Sequence, residues 1–150
     1  PRRTFFMGRW IRHTSWYPDW QLRLFRKSRA EWVGGRIHES VKLTGNTTYL
    51  HNPIEHYSYS DAGEYLSQVQ NFSSLAAADY FEAGRKASPF HLVIYPFIEF
   101  WKNYLLRRGF QDGVPGLVVS VLSSTSVFFK FLKLWELHNQ TKTGHVPDER

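Results

Sequence analysis

The first 59 residues alternate between apolar and polar positions often enough to predict short strands. Residues 4–8 are largely aromatic and apolar. Residues 21–26 place Leu22 and Leu24 on one side of the chain and Arg23 on the other. Alternation with a period of two is typical of a strand with one buried face. Both segments are therefore predicted to be β-strands.

Further strand and turn signals follow in the same region. Tyr17-Pro18-Asp19 predicts one turn, and Gly45-Asn46 predicts another. Residues 41–43 predict the start of a strand, and residues 47–50 predict one more. We expect all of this first part to be rich in β-structure.

The pattern changes to a helical period after residue 60. Asp61, with Glu64 three residues later, predicts a capped helix start, and Gly84 predicts the end of that helix. The apolar residues between these ends recur at helical spacing: Leu66, Val69, Phe72, Ala76 and Tyr80. They predict the buried face of a first helix.

A second helix is indicated by Ser88-Pro89, because serine is a common N-cap and proline fits the first helical position. We expect it to run to about Arg108, to bend near Pro96, and to stop at Gly109.

A third helix is predicted to follow Asp112, with Pro115 in its first turn, and to run to about His138. The sequence thus indicates an α/β class, α+β in this piece, with short mixed strands followed by three helices. We divide it into a β-rich part at 4–59, a helical region at 60–138, and a polar tail at 139–150.

Composition narrows the class of protein. The 150 residues can bury a core, and 42% hydrophobic and 17% aromatic residues argue against disorder. A net charge of +6 favours a polyanionic neighbour, such as anionic lipid, a phosphorylated glycan or nucleic acid. The absence of cysteine excludes disulfides and thiolate chemistry. No stretch of this sequence predicts a signal peptide, and the start at Pro1 leads us to expect a fragment.

Residues 113–129 carry no charge and are flanked by Arg107, Arg108, Lys130 and Lys133. The run is slightly short for a span and is diluted by serines. Three alternatives stay open: a helix lying at a membrane surface, a core-packing helix with a basic outer face, or a true span.

Two short segments contain candidate catalytic and metal-binding residues. Glu39 follows His38 after a glycine-rich stretch, and His56 follows within one more hairpin. A carboxylate can take a proton from a hydroxyl nucleophile, and imidazole is a common metal ligand. Each residue also has a plainer interpretation, Glu39 as a solvated surface carboxylate and His56 as a hydrogen-bonded core histidine.

Arginine and tryptophan side chains add binding capacity. Arg23, and with it Arg9 or Arg12, can pair with phosphate oxygens. The indole rings can stack on sugars or belong to a core, and they are Trp10, Trp16, Trp20 and Trp32. We predict substrate contacts from the residues Arg12, Trp16, Arg23, Trp32 and His38.

An ordered series of motifs covers roughly residues 4–137. Its stretches are Gly8-Arg9-Trp10-Ile11-Arg12, residues 16–26, Trp32-Val33-Gly34 with His38-Glu39, His56-Tyr57-Ser58-Tyr59, Gly109-Phe110-Gln111-Asp112-Gly113, Pro115-Gly116-Leu117 and residues 131–136. This series resembles the carboxyl-terminal part of family 2 glycosyltransferases of the lipopolysaccharide core type, which are inverting enzymes with the GT-A fold.

The resemblance implies roles for two residues. An acidic residue at the place of Glu39 is the expected catalytic base, and a histidine near the place of His56 resembles the metal-associated histidine of many GT-A enzymes. The implied cofactor is a divalent metal, Mg or Mn, with most ligands in an amino-terminal half. The implied partners are a nucleotide-sugar donor and a lipopolysaccharide or lipid-linked glycan acceptor. The implied location is the cytoplasmic face of a bacterial inner membrane, where the enzyme binds peripherally to anionic lipid.

The sequence also departs from that family. It contains no Asp-x-Asp motif and no glycine-rich strand–turn–helix. We therefore expect a carboxyl-terminal fragment that transfers little or no sugar by itself.

Two other functions compete with sugar transfer. One is a nucleic-acid-binding module, which the scattered basic residues disfavour, and the other is a membrane scaffold without catalysis. Convergence of Arg9, Arg12 and Arg23 on one cleft with Glu39 would favour the transferase.

Overall fold

The computed structural model describes residues 1–34, 39–59 and 61–143. Short mixed strands occupy the first part, and three helices follow, which confirms the α+β class predicted for this piece. The strands are β1 (Arg2–Phe6), β2 (Arg9–Trp10), β3 (Ala30–Gly34), β4 (Glu39–Leu43) and β5 (Ile54–Tyr57). The helices are α1 (Ala62–Glu82), α2 (Pro89–Trp101) and α3 (Gly113–Thr143).

The strands form two separate pairings. A three-stranded sheet has the order β2-β1-β5, with β1 antiparallel to β2 and parallel to β5. Strands β3 and β4 form an antiparallel hairpin in which Gly34 pairs with Glu39. Among the described residues, the hairpin contributes nothing to either buried cluster. The described part of the hairpin therefore lies at the surface of the protein and outside its core.

Two strand predictions were wrong. Residues 21–26 and 47–50 form no regular strand, although both carry strand-forming residues. Leu24 is 84% exposed and Leu50 is 67% exposed, so neither segment finds a surface on which to bury its apolar side. A strand depends on a partner and a buried face more than on local preference.

The helix starts agree with their sequence signals. The Asp61 carboxylate accepts a hydrogen bond from the Glu64 backbone N–H at 2.9 Å. At α2, Ser88 and His91 form a reciprocal capping box, and Pro89 occupies the first turn. Both caps satisfy N–H groups that have no partner within the helix.

The ends of the helices differ from the sequence prediction in detail. Helix α2 gives way at Lys102–Leu106 to a π-helical turn, which is followed by a 3₁₀ turn at Gly109–Asp112. Helix α3 runs to Thr143, five residues beyond the predicted end at His138. The predicted polar tail therefore begins as helix, and residues 144–150 lie outside the described part.

The buried face of α1 is rotated from the predicted one. Leu66 and Phe72 are 45% and 48% exposed, whereas four residues spaced by four are buried. They are Tyr65, Val69, Ser73 and Ala77. The small Ser73 lies inside because Lys133 of α3 reaches across to its hydroxyl oxygen at 2.8 Å.

Lys133 also donates to the Gln70 carbonyl at 2.7 Å and to the Ser74 hydroxyl at 2.7 Å. Burial lowers the pKa of this ammonium group, and Glu136 opposes that shift. The three hydrogen bonds show why a lysine is placed between two packed helices, because they replace the water that burial removes.

Two apolar clusters hold the elements together. One joins β1 and the loop after β2 to α1 and α3 through Phe6, Ile11, Val69 and Val119. The other joins all three helices around Phe131 and Leu134.

Helix α3 is long and apolar enough, by length and composition alone, to cross a membrane. The segment Gly109–Thr141 has a mean hydropathy of 1.6 over its most apolar window, of which 33% is buried inside the protein. Its hydroxyl groups are satisfied internally, since Ser120 donates to the Gly116 carbonyl and Ser124 to the Pro96 carbonyl. A core helix has the same properties, so this observation is weak evidence for a span.

Gly116→Ala should destabilise the protein by about 2–3 kcal/mol, because a methyl group at this position would overlap the Gly109 carbonyl oxygen. Urea unfolding followed by circular dichroism measures the change. Val121→Ala serves as the control, since Val121 lies on the same helix but is 47% exposed and should cost about 0.5 kcal/mol or less. Equal stability of the two variants would show that the close approach of these glycines is unimportant.

Candidate functional site

The loop that follows β2 is fixed to the turn before α3 by a buried carboxylate. Asp112 is 1% exposed. It accepts hydrogen bonds from the backbone N–H groups of Arg12 at 3.0 Å and His13 at 2.8 Å. A second oxygen of the same carboxylate lies 3.1 Å from His13 Nδ1. A carboxylate that receives two amide hydrogens holds both segments in one register.

The next two amides of the loop are held by the same partner segment. Thr14 N–H donates to the Arg107 carbonyl at 3.1 Å, and Ser15 N–H donates to the Asn103 side-chain oxygen at 2.7 Å. Asn103 is fully buried and donates in turn to Glu99. Four consecutive amides are thus satisfied by one stretch of chain.

This clamp bends the backbone sharply on both sides. Thr14 has φ 68° and Arg108 has φ 56°, and both lie in the left-handed region that side chains with a Cβ seldom adopt. Such conformations cost free energy and persist where the surroundings fix them. The hydrogen bonds to Asp112 and Asn103 are the forces that fix them here.

A cleft of about 450 Å³ opens above this clamp. It is lined by Arg12, His13, Thr14, Ser15, Tyr17, Pro18, Leu106, Arg107 and Arg108. The sequence prediction included Arg12 but missed Arg107, Arg108 and His13. The motif at 109–113 was visible in sequence, yet nothing local showed that it would meet residues 12–15.

A second polar cluster surrounds His56 on β5. His56 pairs in register with Thr4 of β1, and Arg2 at the start of β1 forms a salt bridge with Asp19. Burial lowers the pKa of His56 first, and the positive charges of Arg2 and Arg23 lower it further, while Asp19 opposes them. The structure therefore brings Arg23 and His56, both predicted as site residues, to one place.

The residues around His56 do not make a cation site by themselves. Within the described ranges, no group of three His, Cys, Asp or Glu residues can hold a metal ion. Asp19 is already paired with Arg2, whose Nε is buried without a hydrogen-bond partner in the described structure. Two guanidinium groups near an imidazole whose charged form they disfavour fit an anion better than a cation. The metal role of His56 stays a prediction, and we derive no step through a metal.

The predicted tryptophans occupy different environments. Trp16 packs in the core, with ring centroids 5.3 Å from Phe6 and 5.5 Å from Tyr65. Trp32 on β3 is 69% exposed. Trp10 lies under the Arg3 guanidinium, and Trp20 contacts Tyr49. Of the two tryptophans predicted to contact substrate, Trp32 has the ring open to a ligand.

Two predicted residues fall at the limit of the described chain. The backbone of Glu39 opens β4, opposite Gly34 and beside the tip of the hairpin. Its side chain and the whole of His38 lie outside what the structure describes. The catalytic role of Glu39 therefore stays a prediction.

Convergence of the arginines is not seen. The cleft lined by Arg12 includes neither Arg9 nor Arg23. Arg23 lies near His56, and Arg9 approaches Gly113. The loop after β2 leads Arg12 toward the helices, whereas the sheet holds His56 beside β1.

Comparisons with known proteins find similarity to proteins that are named glycosyltransferases. An uncharacterized glycosyltransferase of Rickettsia typhi is 30% identical over 136 residues, which cover 85% of this chain and 47% of the relative. One of Rickettsia conorii is 29% identical over 135 residues, covering 84% and 48%. The lipopolysaccharide core biosynthesis glycosyltransferase LpsC of Rhizobium meliloti is 21% identical over 129 residues, covering 85% and 48%.

The chain spans about half the length of the curated relatives it matches. No protein-family model matches the chain. No solved structure matches it either. The chain is thus similar to proteins named glycosyltransferases over most of its own length, and to only part of theirs.

Asp112→Ala should destabilise the protein by about 3 kcal/mol, because the amides of Arg12 and His13 would lose their acceptor inside the protein. Asp112→Asn should cost less, since one side-chain oxygen remains. Thermal and urea unfolding measure both losses, with Asp79→Ala on the partly exposed side of α1 as the control. If Asp112→Ala lowers the free energy of unfolding no more than the control does, the hydrogen bonds of Asp112 do not stabilise the protein as proposed.

His56 should titrate below 6.5 in the folded protein, because burial and two arginines disfavour its charged form. Arg23→Gln should raise this pKa, and Lys27→Gln should leave it unchanged. The unfolded chain takes up the proton first as the pH falls below 6.5, so the contribution of His56 to stability is lost toward acid pH. NMR titration of the imidazole measures both points, and a midpoint above 6.5 would contradict them.

Proposed function

We propose that this chain is the acceptor-side, carboxyl-terminal part of an inverting glycosyltransferase of family 2 with a GT-A fold. The parent enzyme would transfer a hexose from a nucleotide-sugar donor to a lipopolysaccharide-core or other lipid-linked glycan. The observation that carries this proposal is the similarity of 84% or more of the chain to proteins named as glycosyltransferases, one of them of lipopolysaccharide core biosynthesis.

The proposed chemistry assigns one proton transfer to this chain. The Glu39 carboxylate takes the proton from an acceptor hydroxyl, whose oxygen attacks the anomeric carbon of the donor sugar. The bond from that carbon to the diphosphate breaks on the opposite face, so the configuration inverts. The diphosphate leaves with its electron pair and the nucleotide.

The charges near His56 support a place for the departing diphosphate. Arg2 and Arg23 lie close enough to His56 to lower its pKa, although Asp19 pairs with Arg2 and opposes them. The Nε of Arg2 lacks a partner in the described structure. Guanidinium groups bind phosphate oxygens through paired hydrogen bonds. Most ligands of the divalent metal, apart from His56, and the nucleotide site would lie in an amino-terminal half, and the proposed location is the inner face of a bacterial inner membrane.

The hairpin supports the view that the site is incomplete in this chain alone. Its residues Glu31, Trp32 and Val33 are exposed, and the part of the hairpin that the structure describes belongs to neither core cluster. An amino-terminal α/β half would cover such a surface. We therefore expect the isolated chain to transfer no sugar. Transferase assays with nucleotide sugars and a lipid acceptor test this expectation.

The base is tested in the protein encoded by the complete reading frame that contains this chain. Glu39→Gln should lower kcat about 100-fold or more, because the amide cannot accept the proton. Glu31→Gln is the matched control, since Glu31 is an exposed carboxylate on the adjacent strand β3. Transfer of radiolabelled sugar to a lipid extract is the measurement.

Two outcomes would count against the proposal. Full activity of Glu39→Gln would remove Glu39 as the base. A wild-type protein that transfers no sugar from any nucleotide donor would overturn the transferase assignment.

A further inference from the structure

The cleft above the Asp112 clamp is cationic and open. Arg12, Arg107 and Arg108 line it, and all three side chains are exposed. Among the described residues, no carboxylate forms a salt bridge with any of them. Asp112 lies directly beneath but is 1% exposed and has its oxygens occupied by amides and His13. The cleft thus presents positive charge without a neighbouring anion of its own.

The positions of these arginines are fixed by the backbone. The amide of Arg12 is held by Asp112, and the carbonyl of Arg107 accepts from Thr14. Arg108 has a left-handed backbone, with φ 56°, that turns the chain between α2 and α3. A cationic pocket on a fixed backbone loses less entropy on binding an anion than one on a loose loop.

An apolar surface adjoins the cleft. Leu106, which forms part of the cleft wall, is 81% exposed, and Leu105 beside it is 47% exposed. Helix α2 leads to this turn with an exposed stripe at a spacing of three and four residues. The stripe consists of Phe90 (59%), Val93 (66%), Phe97 (60%) and Trp101 (40%).

Exposed apolar side chains are also found at the start of α3. Val114 is 66% exposed and Val121 is 47% exposed, and Phe110 in the preceding turn is 47% exposed. Groups of exposed apolar side chains, unlike single ones, mark interaction surfaces. The aromatic side chains of α2 are followed in the turn by the basic residues Arg107 and Arg108. Aromatic and basic residues that lie together are typical of helices in the headgroup region of a bilayer.

We propose that this surface docks on an anionic lipid bilayer, and that the cleft formed by Arg12, Arg107 and Arg108 binds the phosphate of a lipid headgroup. The exposed side chains of α2 and its turn enter the acyl boundary, and the guanidinium groups stay at the level of the phosphates. Leu106 belongs to both the cleft and the apolar surface, so one lipid can satisfy both. Nucleic acid offers the same phosphate but nothing to cover the apolar stripe.

This inference rests on the proposed function for the location at an anionic membrane and for a phosphorylated lipid partner. It concerns binding by the chain alone and involves no sugar donor. A vesicle-binding experiment therefore can fail while sugar transfer by the longer protein succeeds, and the reverse also holds.

The test is flotation of the whole chain with vesicles of phosphatidylcholine alone, or with phosphatidylglycerol or phosphatidic acid added. We expect binding to both anionic mixtures and little to phosphatidylcholine. Replacing Arg12, Arg107 and Arg108 together by glutamine should lower the partition coefficient about 100-fold, since each basic residue at an anionic surface contributes about tenfold or less.

A matched control removes three charges elsewhere. Arg26→Gln, Lys27→Gln and Lys42→Gln change exposed residues outside both the cleft and α2, and together they should lower binding less than about tenfold because distant charges are screened. Replacing the cleft arginines by lysine keeps the charge but loses the paired hydrogen bonds, and should give an intermediate loss. Circular dichroism checks that each variant is folded.

The apolar contact is tested by Val93→Ser and Leu106→Ser, which should weaken binding to anionic vesicles without changing charge. Inorganic phosphate in excess tests the source of the anion, and it should displace little protein. Equal binding by the cleft and control variants, unchanged binding by the serine variants, or full displacement by inorganic phosphate would each overturn the proposal.

Discussion

The buried carboxylate of Asp112 is the interaction on which the junction between sheet and helices depends. It satisfies the amides of Arg12 and His13, which would otherwise be enclosed without an acceptor. The approach is possible because Gly109 and Gly116 have no side chains, so the turn before α3 packs against the helix backbone. A methyl group at either glycine, or the loss of the acceptor, would weaken the contact between the loop after β2 and the turn before α3.

The same junction determines which side chains meet at the surface. Residues 12–15 are far in sequence from residues 103–112, yet four successive amides connect them. Arg12 consequently faces Arg107 and Arg108 across a cleft. Hydrogen bonds occupy the oxygens of the buried Asp112 carboxylate, whereas the exposed arginines form no salt bridge with any residue that the structure describes. The surface chemistry of the chain thus follows from a contact inside it.

Helix α3 shows how polar residues can be reconciled with an apolar helix. The hydroxyls of Ser120, Ser124 and Thr125 bond backbone carbonyls, and Lys133 bonds α1. These polar side chains of α3 thus bond to partners inside the protein. The side chains exposed near the turn between α2 and α3 include the apolar Leu106 and Val114. Composition alone could not separate a core helix from a surface helix, because α3 serves as both along its length.

The sequence by itself determined the helices, the α+β class and the resemblance to glycosyltransferases, because caps such as Asp61 and Ser88 act locally and motifs are read in order. It failed at residues 21–26 and 47–50, where strand preference had no partner to pair with, and at the rotated face of α1. Among the candidate site residues, the sequence predicted Arg12, Arg23 and His56 as individual residues but not which other residues each would lie beside. Only the tertiary structure decided that Arg23 joins His56 while Arg12 joins Arg107, because such groupings arise from long-range hydrogen bonds that no local pattern encodes.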